Sequence, residues 1–230
     1  MIDVRRSADR STTGTDGVTS RHSFSFGPHY DPANVGFSAL VVHHDDLLEP
    51  GAGYAPHAHA DDEIVTWVLE GALVHEDPAG WREVVTPGRV QRLRAGTGVQ
   101  HAESAEPAAG RTRFVQMWLR PDEPGLRPAY EVDEVPHAPG LVAVASGTPA
   151  VDAPVDVAVA GAALWVGRLA AGEEVLLPSA PHVHVYVARG AVTVDGAGRL
   201  DEGDAARLTD EPGRALRATA SSEVLVWQLP

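Results

Sequence analysis

No window of this chain keeps a helical apolar spacing for long, because glycine and proline break it throughout. What recurs are short runs rich in Val, Leu and Trp, closed by Gly, Pro or Asp. They are Ile64–Leu69, Ala72–His75, Phe114–Leu119, Ala163–Leu169, Val183–Ala188, Ala191–Val194 and Glu223–Leu229. Short strands with turn signals between them predict an all-β barrel or sandwich. At 230 residues and 43% hydrophobic content, the chain can bury one large core or two smaller ones.

An internal repeat decides for two. WVLEGALVHED (67–77) aligns without gaps on YVARGAVTVDG (186–196), each reading strand, tight turn at Glu70-Gly71 or Arg189-Gly190, strand. TPGRVQRL (86–93) matches DEGDAARL (201–208) after a four-residue deletion, and Gly98 meets Gly213. We expect a first domain over residues 1–130 and a second over 131–230. Seven of the 18 prolines fall in residues 121–154, so an extended connection is expected there. The polar opening to about residue 20 reads as an arm or a partly ordered edge.

Charge and composition narrow the partners. With 18 Lys+Arg against 32 Asp+Glu, the net charge of −14 repels phosphate backbones and anionic lipid, so neither nucleic acid nor membrane is an expected partner. The absence of cysteine excludes disulfides, thiolate metal sites and cysteine nucleophiles. No apolar leader opens the sequence and no run approaches the roughly 18 apolar residues of a spanning helix, so a soluble cytoplasmic protein is expected. There is no P-loop, dinucleotide fingerprint or GxSxG motif.

Chemistry concentrates in two short motifs, His57-Ala-His59 and His101-Ala-Glu103. Residues two apart on a strand share a face, so each pair can point into one cavity. The residues between the motifs hold a hairpin and a Pro-Gly turn, enough chain to bring the second strand opposite the first. Three imidazoles and a carboxylate make a site for a divalent ion, Fe(II) foremost and Ni, Mn, Cu or Zn also accepted, with positions open for substrate. Glu63 shares the parity of His57 and His59, so strand geometry alone leaves it as an alternative carboxylate. The other histidines read as structural: His43-His44-Asp45-Asp46 as a turn at a strand end, and His22, His29 and His75 as surface or hydrogen-bonded residues. Trp67, Met117 and Trp118 read as barrel core, with the wall of an aromatic-binding pocket as the alternative.

PHAHADDEIVTWVLEGALVHED followed by AGTGVQHAE resembles the first-domain signature of pirin-type proteins of the cupin superfamily, and RHSFSFGPHYDPANVGFSAL resembles their first strands. The resemblance implies a bicupin, two tandem β-sandwich barrels of the double-stranded β-helix type, with metal in the first only. It also implies His57, His59, His101 and Glu103 as ligands, with Glu63 in the pocket wall, although in other cupins the glutamate at that position is a ligand. The repeat agrees about the second domain: His57 and His59 fall on Leu176 and Pro178, and His101 and Glu103 on Leu216 and Ala218. His182 and His184 therefore read as strand or rim residues.

Some pirin-type proteins are dioxygenases that open a flavonol such as quercetin with O2. The implied substrate is a small aromatic or enol compound, with Glu103 or Glu63 as the base that takes its hydroxyl proton. Others are non-catalytic metal-containing regulators that bind a transcription factor or a metabolic enzyme, so a protein partner is the alternative expectation. A monomer is expected, since each barrel can cover a face of the other.

Overall fold

The computed structural model describes residues 1–78 and 80–230. It is an almost purely β protein; among the described residues the helical segments are two three-residue 3-10 turns, Ser7–Asp9 and Pro107–Ala109. The chain forms two compact units, a first of Ser11–Gly36 and Leu40–Val135, and a second of Met1–Arg10, Phe37–Ala39 and Pro136–Pro230.

The first unit pairs a seven-stranded sheet with a four-stranded one. The larger runs Ala129–Glu134, Arg89–Arg94, Glu63–Glu70, Thr112–Leu119, Leu40–Leu48, Val18–His22, Ser11–Thr15, and every neighbouring pair is antiparallel. The smaller runs Gly53–His59, Val99–Ala105, Leu73–Glu76, Arg82–Val85. Val18, Leu48, Val68, Leu73, Val85, Ala105 and Phe114 form a buried apolar cluster of this unit. Beside it this unit also buries polar side chains, among them His44, Asp46, His101 and Glu103, and these mark where the candidate site lies.

The second unit repeats the plan. Its larger sheet runs Ile2–Arg5, Ala205–Thr209, His182–Arg189, Ser222–Leu229, Ala163–Leu169, Leu141–Ser146, Val155–Asp156, and its smaller one Glu174–Leu176, Ala215–Ala218, Ala191–Val194, Gly198–Asp201. Here the cluster is apolar throughout, with Val183, Val185, Val187, Leu216, Val224 and Val226 among its members.

The sequence repeat is a structural one. Glu63–Glu70 and His182–Arg189 are matching strands, and Gly71 and Gly190 close the turns after them at φ +75° and +78°. Thr112 Oγ1 accepts from the Ala72 amide at 3.1 Å and donates to the Ala72 carbonyl at 3.0 Å. Ser222 Oγ does the same for Ala191, again at 3.1 and 3.0 Å. A Cβ on Gly71 would lie 2.2 Å from the Arg111 carbonyl oxygen, and one on Gly190 2.2 Å from that of Ser221. Both turns thus require glycine for conformation and for space.

Three expectations are corrected. The opening residues are edge strands and not an arm: Ile2–Arg5 pairs with Ala205–Thr209, which places it at the edge of the second unit's sheet, and Ser11–Thr15 forms a hairpin with Val18–His22 at the edge of the first. The 121–154 connection is not merely extended, because Ala129–Glu134 pairs with Arg89–Arg94 and Leu141–Ser146 with Ala163–Leu169. Its prolines flank these strands and spare their ladder amides. His43–Asp46 is no turn but the interior of the Leu40–Leu48 strand, paired on both sides. Its polar side chains find buried partners there.

Gly71→Ala and Gly190→Ala should each destabilise the protein by about 3 kcal/mol, since a left-handed alanine would also strike backbone. Gly88→Ala, at φ +94° with nothing within 4 Å, should cost only about 1 kcal/mol. Denaturant titration of the three variants checks the contrast.

Candidate metal centre

The site begins with one antiparallel pairing. Gly53–His59 lies beside Val99–Ala105 with His57 opposite His101, and a register shift between His101 and Glu103 sets Glu103 opposite Tyr54. The i, i+2 spacing of His57 and His59 and the facing strand bring three imidazoles together. Ring centroids are 4.8 Å apart for His57–His59, 4.5 Å for His57–His101 and 5.1 Å for His59–His101. One nitrogen from each of the three lies within 4.8 Å of the other two.

Two of the imidazoles are hydrogen-bonded through Nδ1, and that of the third, His59, faces a carboxylate. That of His57 is 2.8 Å from the Ala55 carbonyl, that of His59 is 3.7 Å from Asp62 Oδ2, and that of His101 is 3.2 Å from His75 Nδ1. Nε2 of His59 and of His101 are buried with no hydrogen-bond partner in the protein. Imidazoles held by one nitrogen with the other turned inward are the arrangement metal-ligating histidines adopt. Burial pushes the His101 pKa down to about 3, and the neighbouring His57 and His59 add to the effect. Burial likewise takes His75 to about 4, with His101 and His57 lowering it further and Glu103 and Asp77 opposing. Both rings are neutral at pH 7, which leaves nitrogen lone pairs for a cation. The residues therefore fit a divalent transition metal.

Glu103 is buried beside this cluster. Its Oε1 accepts from Gln91 Nε2 at 3.1 Å and its Oε2 from Gln116 Nε2 at 2.8 Å. Gln91 is held in turn by the Tyr130 hydroxyl at 2.9 Å, and Gln116 by the Trp118 indole N–H at 3.0 Å. With His75 and His101, Glu103 forms a second group whose ligand atoms lie within 4.8 Å of one another. Glu63 is placed differently. It is fully buried on the Glu63–Glu70 strand of the larger sheet, accepts from Arg94 Nε at 2.5 Å, and is absent from the cavity wall that Glu103 lines.

A cavity of about 270 Å³ opens beside the cluster, and His57, His59 and Glu103 form part of its wall. Much of the rest is aromatic. Trp118 stands edge-on to His59 at 4.7 Å between centroids, and Phe26, His22 and His44 stack or meet edge-on at 4.4 to 5.2 Å. Asp46 and Tyr54 also line it, joined by a 3.0 Å hydrogen bond from the Tyr54 hydroxyl to Asp46 Oδ2. Burial drives the Asp46 pKa up to about 7, against the lowering hydrogen bonds of Ser20 and Tyr54. Burial also raises the Tyr54 hydroxyl, reinforced by the Asp46 charge.

Sequence reasoning missed His75, the Gln91–Gln116 clamp, and His44 and Asp46. The last two had a signal, since they share one face of an alternating strand flanked by Leu40 and Leu48. Trp67 and Met117 are core as expected, whereas Trp118 faces the cavity. His182 Nδ1 lies 2.6 Å from the Pro230 carbonyl and His184 is buried; neither belongs to a metal-capable group among the described residues.

Two cupin sandwiches in one chain, the first carrying a His/Glu metal-binding site, define a bicupin metalloprotein. The pirin family model matches residues 4–119, and one described as the quercetinase C-terminal cupin domain matches residues 155–229. The chain belongs to the pirin family. A Mycobacterium tuberculosis protein named provisionally as a quercetin 2,3-dioxygenase is 47% identical over 231 residues, spanning 99% of this chain and 95% of its own. The Escherichia coli protein named quercetin 2,3-dioxygenase is 34% identical over 237 residues, spanning 100% and 99%. The crystal structure of the bacterial pirin YhhW from Escherichia coli in complex with nickel(II) matches with a TM-score of 0.90 at 33% identity, over 100% of this chain and 99% of that one.

The depressed histidines fix a pH dependence. In the unfolded chain they titrate near 6.5, but in the fold at about 4 (His75) and about 3 (His101). Stability of the metal-free protein is therefore complete above pH 6.5 and falls as pH drops through that value towards 4 and 3, where the unfolded chain binds the extra protons. Thermal midpoints between pH 8 and 4 should show this decline, and His75→Gln should flatten it.

Proposed function

We propose that this protein is a metal-dependent dioxygenase that opens a flavonol such as quercetin with O2. The observation that carries the reading is the convergence of three imidazoles on the wall of an aromatic-lined cavity. The names of the relatives support it. In this reading His57, His59, His101 and Glu103 hold the ion, Fe(II) first and Ni, Mn, Cu or Zn as alternatives. The second unit is a scaffold, with Leu176, Pro178, Leu216 and Ala218 at the repeat-equivalent positions.

When bound, the cation supplies Lewis acidity that lowers the cost of a deprotonated oxygen. The protein's own groups do the rest. Trp118, Phe26, His22 and His44 offer ring faces and edges to a flat aromatic ligand and exclude water from it. Glu103 receives the 3-hydroxyl proton: each of its oxygens carries one amide hydrogen bond and keeps a second acceptor site. The Gln91–Gln116 clamp fixes its orientation, as general base catalysis requires. Glu63 is committed to Arg94 and serves the wall strand instead. The completed reaction inserts both oxygen atoms of O2 and releases the C3 carbon as carbon monoxide, leaving a ring-opened ester of two phenolic acids.

Metal analysis on anaerobically purified protein, followed by oxygen uptake with quercetin, tests the reading. Near-stoichiometric transition metal and substrate-dependent uptake are expected, and His57→Ala and His101→Ala should each lose metal and at least about 100-fold in activity. Stoichiometric metal without uptake would favour a regulatory protein, and full metal occupancy in both variants would refute the ligand assignment.

A further inference from the structure

Asp46 is a cavity residue that the dioxygenase reading does not use. Its side chain is 1% exposed and sits deep in the Leu40–Leu48 strand, opposite Ser20 on one side and Phe114 on the other. Oδ2 accepts a hydrogen bond from the Tyr54 hydroxyl at 3.0 Å and the Ser20 hydroxyl also supports the carboxylate, whereas atom Oδ1 is buried with no partner in hydrogen-bonding geometry. A buried carboxylate oxygen without a donor is costly unless a ligand provides one, and this carboxylate lines the same cavity as His57 and His59.

The strand pairing gives the span. Trp118, whose ring meets His59, lies opposite Val42. Four residues of strand, roughly 13 Å, separate Val42 from Asp46. Between them the His44 and His22 rings line the wall. Asp46 is joined back to the cluster through Tyr54, whose ring lies 6.3 Å from that of His57, so the cavity offers a second oxygen-recognising group one tyrosine away from the imidazoles, with His44 and His22 beside it.

We propose that Asp46 is the specificity residue for a second phenolic hydroxyl, separate from the oxygen at the three-histidine cluster, and that the ligand is a flat aromatic compound hydroxylated at both places. Oδ1 accepts that hydroxyl, and Tyr54 fixes the carboxylate rotamer by holding Oδ2. The Asp46 carboxyl, raised to about 7 by burial, is lowered again when a donor reaches Oδ1. This inference rests on the flavonol reading but concerns recognition, so binding tests it separately from turnover.

The test uses metal-loaded, full-length protein and two probes: quercetin, and 3-hydroxyflavone, which keeps the 3-hydroxyl and lacks the distal ones. Dissociation constants come from equilibrium titration without O2, and oxygen uptake is measured in parallel. The unmodified protein should prefer quercetin by at least about tenfold, as one charge-assisted hydrogen bond allows. Asp46→Asn and Asp46→Ala should erase most of that preference while metal content stays stoichiometric, and Tyr54→Phe should reduce it part-way. A preference that survives in both Asp46 variants overturns the proposal, as does a loss shared equally by the two probes, which would mark a structural role. Quercetin binding with the Asp46-dependent preference but no oxygen uptake supports this proposal and sinks the dioxygenase reading. Failure of the unmodified protein to bind either flavonol overturns both.

Discussion

The ladder between Gly53–His59 and Val99–Ala105 is the constraint on which the site depends. It sets His57 against His101, and its register shift carries Glu103 one step away from the three imidazoles, towards the amide clamp. A pairing slipped by one residue would turn the histidines of one strand to the opposite face. The neighbouring Leu73–Glu76 strand fixes the register from the other side by placing His75 opposite Glu103. Accurate placement of four side chains thus comes from backbone hydrogen bonds that none of those side chains makes.

The two units show what that placement costs a fold. They share turn glycines and hydroxyl caps, yet the second buries few polar side chains, among them His184, Asp204 and Arg207, whereas the first buries His44, Asp46, His75, His101, Glu103, Gln91 and Gln116. Buried polar groups are tolerable when they satisfy one another. Tyr130–Gln91–Glu103–Gln116–Trp118 is a continuous chain of such bonds, and it crosses from a strand of the interdomain stretch to the cavity wall. The second unit has the same architecture, with Leu216 and Ala218 at the positions equivalent to His101 and Glu103.

Much of this could be read in the sequence, and the limits have physical causes. The strands, the repeat and its turn glycines were legible because alternation and left-handed turns leave local marks. The three histidines were legible because a period of two is all a strand needs to aim a pair. His43–Asp46 misled because four consecutive polar residues look like a solvated turn. Only the flanking strands, distant in sequence, make them an interior, with Asp45 tied to Arg113 at 2.7 Å and His43 to Ser23 at 3.1 Å. His75 and the glutamine clamp carry no local mark at all, because their roles come from what lies across the sheet. Glu63 had the right parity, but its pairing partner is Arg94, and an adjacent guanidinium claims a carboxylate more firmly than a shared strand face.

The edge strand Ile2–Arg5 has a consequence of a different kind. It is hydrogen-bonded to Ala205–Thr209, nearly the full length of the chain away. About two hundred residues lie between this strand and its partner, so the ladder closes only after both have been made. Loop closure over that distance places the pairing among the late, slow contacts of folding. Until then the growing second sheet ends in the exposed backbone of Ala205–Thr209, the kind of edge that recruits foreign strands. Ile2–Arg5 thus acts as the seal on an edge of the second unit's larger sheet.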